Sequence, residues 1–330
     1  MSLSIIIVNY KSPQLVLDCL ERIGGGAIAG SFEIIVVDNA SGDDSRQQIL
    51  SAFPDVRWIQ MDYNSGFARA NNEGRRRSAG DTVLLLNSDT WPDAATIEMC
   101  YQGLLHSPYV AAGVQLLNVD GTPQISGNYF MKGGLNYLLP LPYLGTFFKW
   151  MGEKVKVKKP HVPDAAAAGA IIDVDWINGA FLMVKKRAID QAGLMDEDFF
   201  LYAEEAEWCG RLKNIGKLCL FGTLNVIHLQ GETANQEFGS AGKGYYNLYD
   251  RKGLQIMLSN FVRIRKQFGT GWFLVQLFFY LIDIPIFGIC LAFSKQYSPA
   301  QFRQYSKNIG FIFRLSPTII RNKPYFYKVL

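Results

Sequence analysis

The first 110 residues repeat one pattern four times: a short β-rich run followed by a stretch with helical character. The runs are Ser4 to Val8 (SIIIV), Ile34 to Val37 (IIVV), Val56 to Met61 (VRWIQM) and Thr82 to Leu86 (TVLLL). Strands that are apolar along their whole length are typical of parallel sheets, because helices cover both faces of such sheets. The pattern therefore predicts an α/β fold with a mostly parallel sheet and flanking helices.

Each run is followed directly by a short polar cluster. The clusters are Asn9-Tyr10, Asp38-Asn39-Ala40-Ser41, Asn64-Ser65-Gly66 and Asn87-Ser88-Asp89. One such cluster is explained equally well by turn formation or helix capping. Four at equivalent positions, two of them with a carboxylate, predict a ligand site, because open α/β sheets bind ligands at the carboxyl ends of their strands.

The middle of the chain, residues 111–230, has strand and hairpin signals, including a predicted turn at Asp120-Gly121. Residues 127–163 are rich in glycine, proline and aromatic residues and have weak periodicity, which predicts a mobile or acceptor-facing loop. A strand-like run, WINGAFLMV, then leads to a predicted helix that begins near Glu204.

Three residues of this part are candidates for chemistry. Glu204 and Glu205 fall in the first turn of the predicted helix, where the helix dipole favours ionised acids. Such a carboxylate suits a general base and suits plain helix stabilisation equally well. His228 ends the apolar run LNVIH and is the best imidazole candidate for a metal ligand, with a hydrogen-bonded core histidine as the alternative.

The strings SIIIVNY, IIVVDNASGD, YNSGFARANNEG and LLLNSDT, in this order and spacing, resemble glycosyltransferase family 2. WINGAFLMVKKRAI and DEDFFLYAEEAEWCGRL continue the resemblance, which covers about residues 2–235 and is strongest to rhamnosyltransferase-like members that build bacterial surface polysaccharides such as O-antigen. It implies a GT-A (Rossmann-like) fold and an inverting transfer from a dTDP- or UDP-linked sugar, with rhamnose as the implied sugar. The implied acceptor is a glycan or a polyprenyl-linked glycan.

The resemblance also implies a role for individual residues. Asp89 and His228 would hold Mg²⁺ or Mn²⁺, and Glu205 would be the catalytic base, with the adjacent Glu204 as the alternative. The nucleotide-sugar would be bound by Asn9, Tyr10, Asp38, Asn64, Gly66, Phe67, Asn71, Asn87, Ser88 and Asp89. The acceptor and sugar side would be lined by Trp176, Asn178 and Gly179.

Two positions depart from the family pattern. Asn87 stands at the first position of the DXD-like motif, which leaves Asp89 as its one carboxylate. Glu204-Glu205 stands where relatives usually carry Glu-Asp, and the extra methylene moves the carboxylate oxygens by about an ångström, a displacement that matters in a reactive geometry.

The C-terminal part differs in composition from the rest. Residues 251–330 contain 12 Lys and Arg and a single acid, Asp283. Gly271 to Phe293 is an apolar stretch long enough to span a bilayer, but Asp283 and Pro285 near its centre disfavour a simple span. We therefore expect an apolar and basic helical tail that lies on or re-enters a membrane surface. A buried helix or a homo-oligomer contact is the alternative.

These features predict two domains: a GT-A domain at 1–235, with a nucleotide-binding half (1–110) and an acceptor and base half (111–235), and the tail at 236–330. The apolar run after Met1 is only about six residues long, so we expect no secretory signal, and the five cysteines are scattered without metal-ligand spacing. We expect a peripheral or monotopic protein at the cytoplasmic face of the inner membrane.

Other functions are less compatible with the sequence. A hydrophobic content of 49% excludes a disordered or fibrous protein. A nucleotidyltransferase would carry a glycine-rich, basic triphosphate loop after the first strand, where this chain has NYKSPQ. Asp38, Asp89 and Glu205 argue against an inactive GT-A module that only binds a glycan or a partner. No nucleic-acid binding is expected, because the basic residues of the tail are interleaved with long apolar runs.

Overall fold

The computed structural model describes residues 2–24, 32–154, 171–229, 238–240 and 247–329. They form two compact units. The first consists of Met1–Tyr129, Val162–Phe200 and Glu204–Thr233, and the second of Phe130–His161, Leu201–Ala203 and Ala234–Leu330. The predicted domain boundary at residue 235 lies outside the described residues.

The first unit is built on one mixed sheet. Its first four strands are β1 (Leu3–Asn9), β2 (Phe32–Asp38), β3 (Arg57–Gln60) and β4 (Thr82–Asn87), and they pair in parallel in the order β3-β2-β1-β4. The sheet continues beyond β4 with β10 (Phe181–Lys185), β6 (Ala111–Leu117), β11 (Leu218–His228) and β5 (Thr90–Trp91), and β8 (Ile171–Val174) pairs with β11. β10 runs antiparallel to β4, and β6 runs parallel to β11. The predicted α/β class with a central sheet and flanking helices is confirmed, but only four of the eight strand pairings in this sheet are parallel.

Helices connect the strands much as the sequence predicts. They are α1 (Pro13–Ile23), α2 (Ser45–Ala52), α3 (Gly66–Arg77), α4 (Ala94–Leu105), α6 (Lys186–Ala192) and α7 (Glu204–Lys213). A proline at the first helical position starts α1, and the Asp93 carboxylate caps α4 by accepting the Thr96 N–H at 2.7 Å. A separate two-stranded sheet joins β7 (Gly127–Asn128) and β9 (Trp176–Ile177).

The register of the parallel strands brings the polar clusters together. Asn9 lies opposite Asp38, Val8 opposite Asn87, and Asp38 opposite Gln60. Since the carboxyl ends of parallel strands meet at one edge of the sheet, the clusters after β1, β2 and β4 occupy that edge.

The second unit is helical. It contains a 3₁₀ segment (Lys132–Leu138), α5 (Leu144–Lys154), α8 (Arg251–Phe268), α9 (Thr270–Phe293) and α10 (Pro299–Arg321). Among the described residues, α9 is the one helix whose length and composition would allow it to cross a membrane. The segment predicted as a loop, 127–163, contains the 3₁₀ segment and α5 and is not a continuous loop. Gly133 and Gly134 interrupt the 3₁₀ segment with positive φ, and Gln276 donates to their carbonyl oxygens at 3.0 and 2.8 Å. Residues 155–163 lie outside the described residues.

Candidate active site

Asp38 is the centre of a hydrogen-bond network at the edge of the sheet. Its carboxylate accepts hydrogen bonds from Asn9 Nδ2 at 2.7 Å, Ser41 Oγ at 2.5 Å, Ser41 N at 3.0 Å and Gln60 Nε2 at 2.6 Å. Asp38 is only 2% exposed, whereas Gln60 lies at the surface. The carboxylate thus links the ends of three strands, β1, β2 and β3, through hydrogen bonds.

Asn39 links the second and third polar clusters. Its Oδ1 accepts from the Ser65 N–H and the Ser65 hydroxyl, both at 2.8 Å, and its Nδ2 donates to Asn64 Oδ1 at 3.0 Å. Asn64 Oδ1 also accepts the Gly66 N–H at 3.2 Å, which positions the start of α3. Sequence reasoning did not single out Asn39, although it lies inside the Asp38 cluster.

The start of α3 is tied to the segment that precedes Glu204. Gly66 has a φ of +78°, and a Cβ there would lie 2.1 Å from the carbonyl oxygen of Phe200. The Phe67 N–H donates to the same oxygen at 2.9 Å. The predicted site residue Asn71 bonds within the helix, to Phe67 O at 2.9 Å, and is buried.

Asn72 hydrogen-bonds the segment before Glu204 through both the oxygen and the nitrogen of its side-chain amide. Its Oδ1 accepts the Met195 N–H at 3.0 Å, and its Nδ2 donates to Met195 O at 2.9 Å and to Glu197 Oε1 at 3.1 Å. The side chain therefore replaces the backbone partners that a β-ladder would supply. The sequence signal was available, because Asn72 follows Asn71 in the motif YNSGFARANNEG, but only the fold shows what it binds.

Asp89 and His228 meet although 138 residues separate them in the chain. The two-residue strand β5 pairs antiparallel with the end of β11, so that Thr90 lies opposite His228, and the Leu229 N–H donates to Asp89 O at 2.9 Å. This pairing places Asp89 Oδ1 3.3 Å from His228 Nε2. Both residues are nearly buried, at 7% and 6% exposure.

Gln124 determines which nitrogen of His228 faces Asp89. Its Nε2 donates to His228 O at 2.6 Å, Asn118 Oδ1 at 2.8 Å and Leu117 O at 3.3 Å, so its Oε1 is the atom 2.9 Å from His228 Nδ1. An oxygen in that place requires a proton on Nδ1. With that proton on Nδ1, Nε2 is the ring nitrogen that faces the carboxylate of Asp89.

Asp89 Oδ1 and His228 Nε2, 3.3 Å apart, need a proton or a cation between them. A carboxylate oxygen is a ligand of Mg²⁺ and Mn²⁺, and an imidazole nitrogen ligates divalent transition-metal ions. A hydrogen-bond acceptor on the other ring nitrogen, here Gln124 Oε1, is the usual support for a ligating histidine. Within the described residues there is no group of three or more His, Cys, Asp and Glu side chains that could hold a metal. The pair therefore fits an ion that completes its coordination with phosphate oxygens and water.

A third group joins the predicted base to the predicted sugar side. A Cβ on Gly179 would lie 3.4 Å from Phe67 Cε1 and 3.6 Å from Glu205 Cβ, so these three residues adjoin. Glu204 is 2% exposed, while Glu205 is partly exposed. Asn178 Oδ1 accepts the Ala180 N–H at 3.0 Å and so shapes the turn that presents Gly179.

The remaining predicted residues have more local settings. Tyr10 is partly exposed and lies under the Lys11 ammonium, 5.1 Å from its ring centroid. Asn87 is held through its backbone, donating to Ala180 O at 3.1 Å and accepting from the Thr90 hydroxyl at 2.5 Å, and Ser88 is partly exposed. Trp176 lies in β9 and is partly buried.

The sheet and its polar edge define an α/β enzyme of the GT-A type. The family model described as "Glycosyl transferase family 2" matches residues 4–179. The chain belongs to glycosyltransferase family 2 and is a glycosyltransferase, which confirms the family resemblance and the enzyme class expected from the motifs.

Relatives and solved structures agree with this assignment. The chain is 28% identical over 291 residues to the low-salt glycan biosynthesis hexosyltransferase Agl10 of Haloferax volcanii, covering 84% of this chain and 85% of the relative. It is 22% identical over 220 residues to an N-acetylglucosaminyl-diphospho-decaprenol L-rhamnosyltransferase of Mycobacterium tuberculosis, covering 62% and 68%. A mannosyltransferase from Pyrobaculum calidifontis, solved in complex with GDP-Man and Mn²⁺, shares the fold with a TM-score of 0.53 at 13% identity, covering 97% and 87%.

Proposed function

We propose that this chain is an inverting, metal-dependent glycosyltransferase that moves a sugar from a nucleoside diphosphate donor to a glycan or polyprenyl-linked glycan. The observation that carries the proposal is the Asp89–His228 pair, whose two acceptor atoms lie 3.3 Å apart with the tautomer set by Gln124. A pair of this kind is of little use to a plain binding module. It is suited to a site where a diphosphate and a divalent cation bind together.

Asp89 and His228 would hold Mg²⁺ or Mn²⁺, which when bound neutralises charge on the departing diphosphate. Gln124 keeps the Nε2 lone pair of His228 available, and burial of both ligands reduces competition from water. With Asn87 in place of a first carboxylate, one carboxylate and one imidazole make up the protein's share of the site.

The strand ends would bind the nucleotide. Asn9 ends β1 and Tyr10 follows it, and Gly66 and Phe67 open α3 just after Asn64. The donor would therefore lie across this edge of the sheet. Asp38, one of the residues that the family resemblance assigns to the nucleotide, would accept the imide N–H of the base. Its carboxylate already accepts four hydrogen bonds, and Gln60 is the exposed donor among them, so we propose that the base is read by Asp38 and Gln60 together.

Glu205 would act as the general base. It is partly exposed at the first turn of α7, whereas Glu204 is almost fully buried, so Glu205 is the carboxylate that an acceptor hydroxyl can reach. The acceptor oxygen forms a bond to the anomeric carbon as the bond from that carbon to the diphosphate breaks, and the hydroxyl proton passes to Glu205. A single displacement of this kind inverts the anomeric configuration. Trp176, Asn178 and Gly179 would line the acceptor side.

The relatives support the choice of substrates. One is a hexosyltransferase of glycan biosynthesis, another acts on a decaprenol-linked sugar, and the fold neighbour binds GDP-Man with Mn²⁺. We therefore propose a role in surface-polysaccharide synthesis of the O-antigen kind, with dTDP- or UDP-rhamnose as the first donors to test. The acceptor would be met at the cytoplasmic face of the inner membrane.

A thermal-unfolding screen of nucleoside diphosphates and their sugars, with and without Mn²⁺, tests the proposal. A donor present at about 100 times its Kd should stabilise the protein by about 2.7 kcal/mol, and Mn²⁺ should increase the effect. Stabilisation by nucleoside triphosphates in preference to diphosphates would favour a nucleotidyltransferase instead.

Replacing the base separates catalysis from binding. Glu205→Gln should abolish transfer and leave nucleotide stabilisation unchanged, because the amide keeps the shape but cannot take a proton. Glu204→Gln is the matched control. Normal turnover in Glu205→Gln would refute the role of Glu205, and binding without turnover in the wild type would favour the inactive GT-A module.

A further inference from the structure

Helix α9 (Thr270–Phe293) buries Gln276 and Asp283, and its exposed face is entirely apolar. Gln276 and Asp283 belong to the buried face, together with Phe273, Leu277, Tyr280 and Phe287. The exposed residues of this fully described helix are Gly271, Leu274, Val275, Phe278, Ile282, Pro285, Ile289, Ala292 and Phe293, and none of them is polar. Most of them follow a spacing of three or four residues and so form one continuous stripe. Water is a poor solvent for such a face.

The buried polar residues fasten α9 to its own unit. Gln276 Nε2 donates to the carbonyl oxygens of Gly133 and Gly134, and Asp283 Oδ2 accepts the Tyr305 hydroxyl at 2.6 Å. A transmembrane orientation of α9 alone would break these bonds inside hydrocarbon. The neighbouring helices could not follow it, because α10 carries exposed Arg303, Lys307 and Arg314 along its length.

Helix α5 (Leu144–Lys154) extends the apolar surface. Phe148 of α5 packs edge-on against Phe279 of α9, with ring centroids 5.2 Å apart, so the two helices lie side by side. Phe147, Trp150 and Met151 are exposed on α5, next to exposed Lys149. Aromatic rings with an adjacent lysine are typical of residues that lie at the level of lipid headgroups.

Helix α10 (Pro299–Arg321) contributes positive charge. Arg303, Lys307, Phe311, Arg314 and Arg321 are exposed at spacings that put them on one face of the helix. In the part of the chain that the structure describes, no ion pair joins these four cations to an acid. A basic stripe with a phenylalanine inside it suits a surface of anionic phosphates, and it would repel the same stripe of a second copy.

We propose that the exposed apolar surface of α5 and α9 inserts into one leaflet of an anionic phospholipid bilayer, with α9 in the plane of the membrane. Arg303, Lys307, Arg314 and Arg321 would contact the phosphate headgroups. The protein would then be monotopic: the apolar surface of α5 and α9 would anchor it to the membrane, with no transmembrane helix. Under the proposed function, the membrane is the partner that would present a lipid-linked acceptor. Donor binding does not depend on membrane binding, so the two can be tested separately.

Vesicle flotation with a matched control tests the surface. Phe278→Asp with Ile282→Asp should lower binding to vesicles of phosphatidylethanolamine and phosphatidylglycerol at least about tenfold, since two exposed apolar side chains that would enter the bilayer become charged. The control is Met99→Asp with Val119→Asp, two residues of the first unit that are 52% and 64% exposed. The control should bind vesicles as the wild type does, and both double variants should keep nucleotide stabilisation. Equal binding by the two double variants overturns the proposal.

A measurement on the wild-type chain covers the case in which the acidic variant does not fold. Brominated phospholipids should quench the fluorescence contributed by Trp150, obtained as the difference from Trp150→Tyr. Unquenched Trp150 overturns insertion of α5. Resistance of the bound protein to alkaline carbonate overturns the in-plane orientation in favour of a span, and a lipid-free dimer that Phe278→Asp with Ile282→Asp dissociates overturns the lipid assignment in favour of a second copy.

Discussion

Gly66 occupies a position where the fold depends on the absence of a side chain. A Cβ there would lie 2.1 Å from Phe200 O, about 1.3 Å short of the 3.4 Å at which ordinary contact begins. The neighbouring Phe67 N–H donates to the same oxygen at 2.9 Å. Gly66→Ala must therefore move either the start of α3 or the backbone of Phe200, which lies four residues before Glu204.

The size of the effect can be worked out from three contributions. An alanine at φ +78° costs about 1 kcal/mol relative to glycine. Loss of the hydrogen bond from Phe67 to Phe200 adds about 1 kcal/mol, and repacking around the displaced segment adds about 1 kcal/mol more. We expect Gly66→Ala to lower the free energy of unfolding by about 3 kcal/mol.

Gly42 provides the matched control. It has a φ of +70° and nothing within 4 Å of the position of a Cβ, so Gly42→Ala should show only the conformational cost of about 1 kcal/mol. Urea unfolding followed by tryptophan fluorescence measures both values. Turnover of Gly66→Ala should fall about 100-fold, because an ångström of displacement at a reacting group has that effect. Equal destabilisation of the two variants would show that the close approach to Phe200 has no energetic consequence.

Two further perturbations follow from buried polar groups. Asn72→Ala removes both hydrogen-bond partners of the Met195 backbone and should lower the free energy of unfolding by about 3 kcal/mol. Asn72→Gln should recover little of this stability because its amide is displaced, and urea unfolding of both variants checks this. Burial raises the pKa of Asp283 to about 7, so the folded chain keeps a proton between about pH 4 and pH 7 that the unfolded chain has lost. The free energy of unfolding should fall by at most about 1.4 kcal/mol per pH unit across that window, and Asp283→Asn should remove this slope in denaturation curves measured from pH 4 to pH 8.

Much of the fold could be predicted because its signals are local. The apolar runs at Ser4, Ile34 and Thr82 become the central parallel strands, and the polar residues that follow them meet at one edge since the strands are in register. The family motif DEDFFLYAEEAEWCGRL, which contains the predicted base Glu205, includes the start of helix α7. The helix predicted to begin near Glu204 begins at that residue.

What could not be predicted depends on distant pairing. The family resemblance implied that Asp89 and His228 share a site, but their approach results from the two-residue strand β5, which is too short to have a sequence signature of its own. Gln124 acquires its role only because residues 117–124 fold back beside the end of β11. The polarity of α9 is visible in the sequence, but the finding that its charged and amide side chains face inward requires the packing of Tyr305 and Gly133 against it.

The central claim is that Asp89 and His228 form a divalent-cation site. Mn²⁺ binding measured by electron paramagnetic resonance, in the presence of a nucleoside diphosphate and without acceptor, tests it most directly. The account predicts that Asp89→Asn and His228→Ala each weaken Mn²⁺ binding at least about tenfold. Asp93→Asn, which alters an exposed carboxylate that only caps α4, should bind Mn²⁺ as the wild type does. Wild-type Mn²⁺ affinity in both Asp89→Asn and His228→Ala would contradict the account.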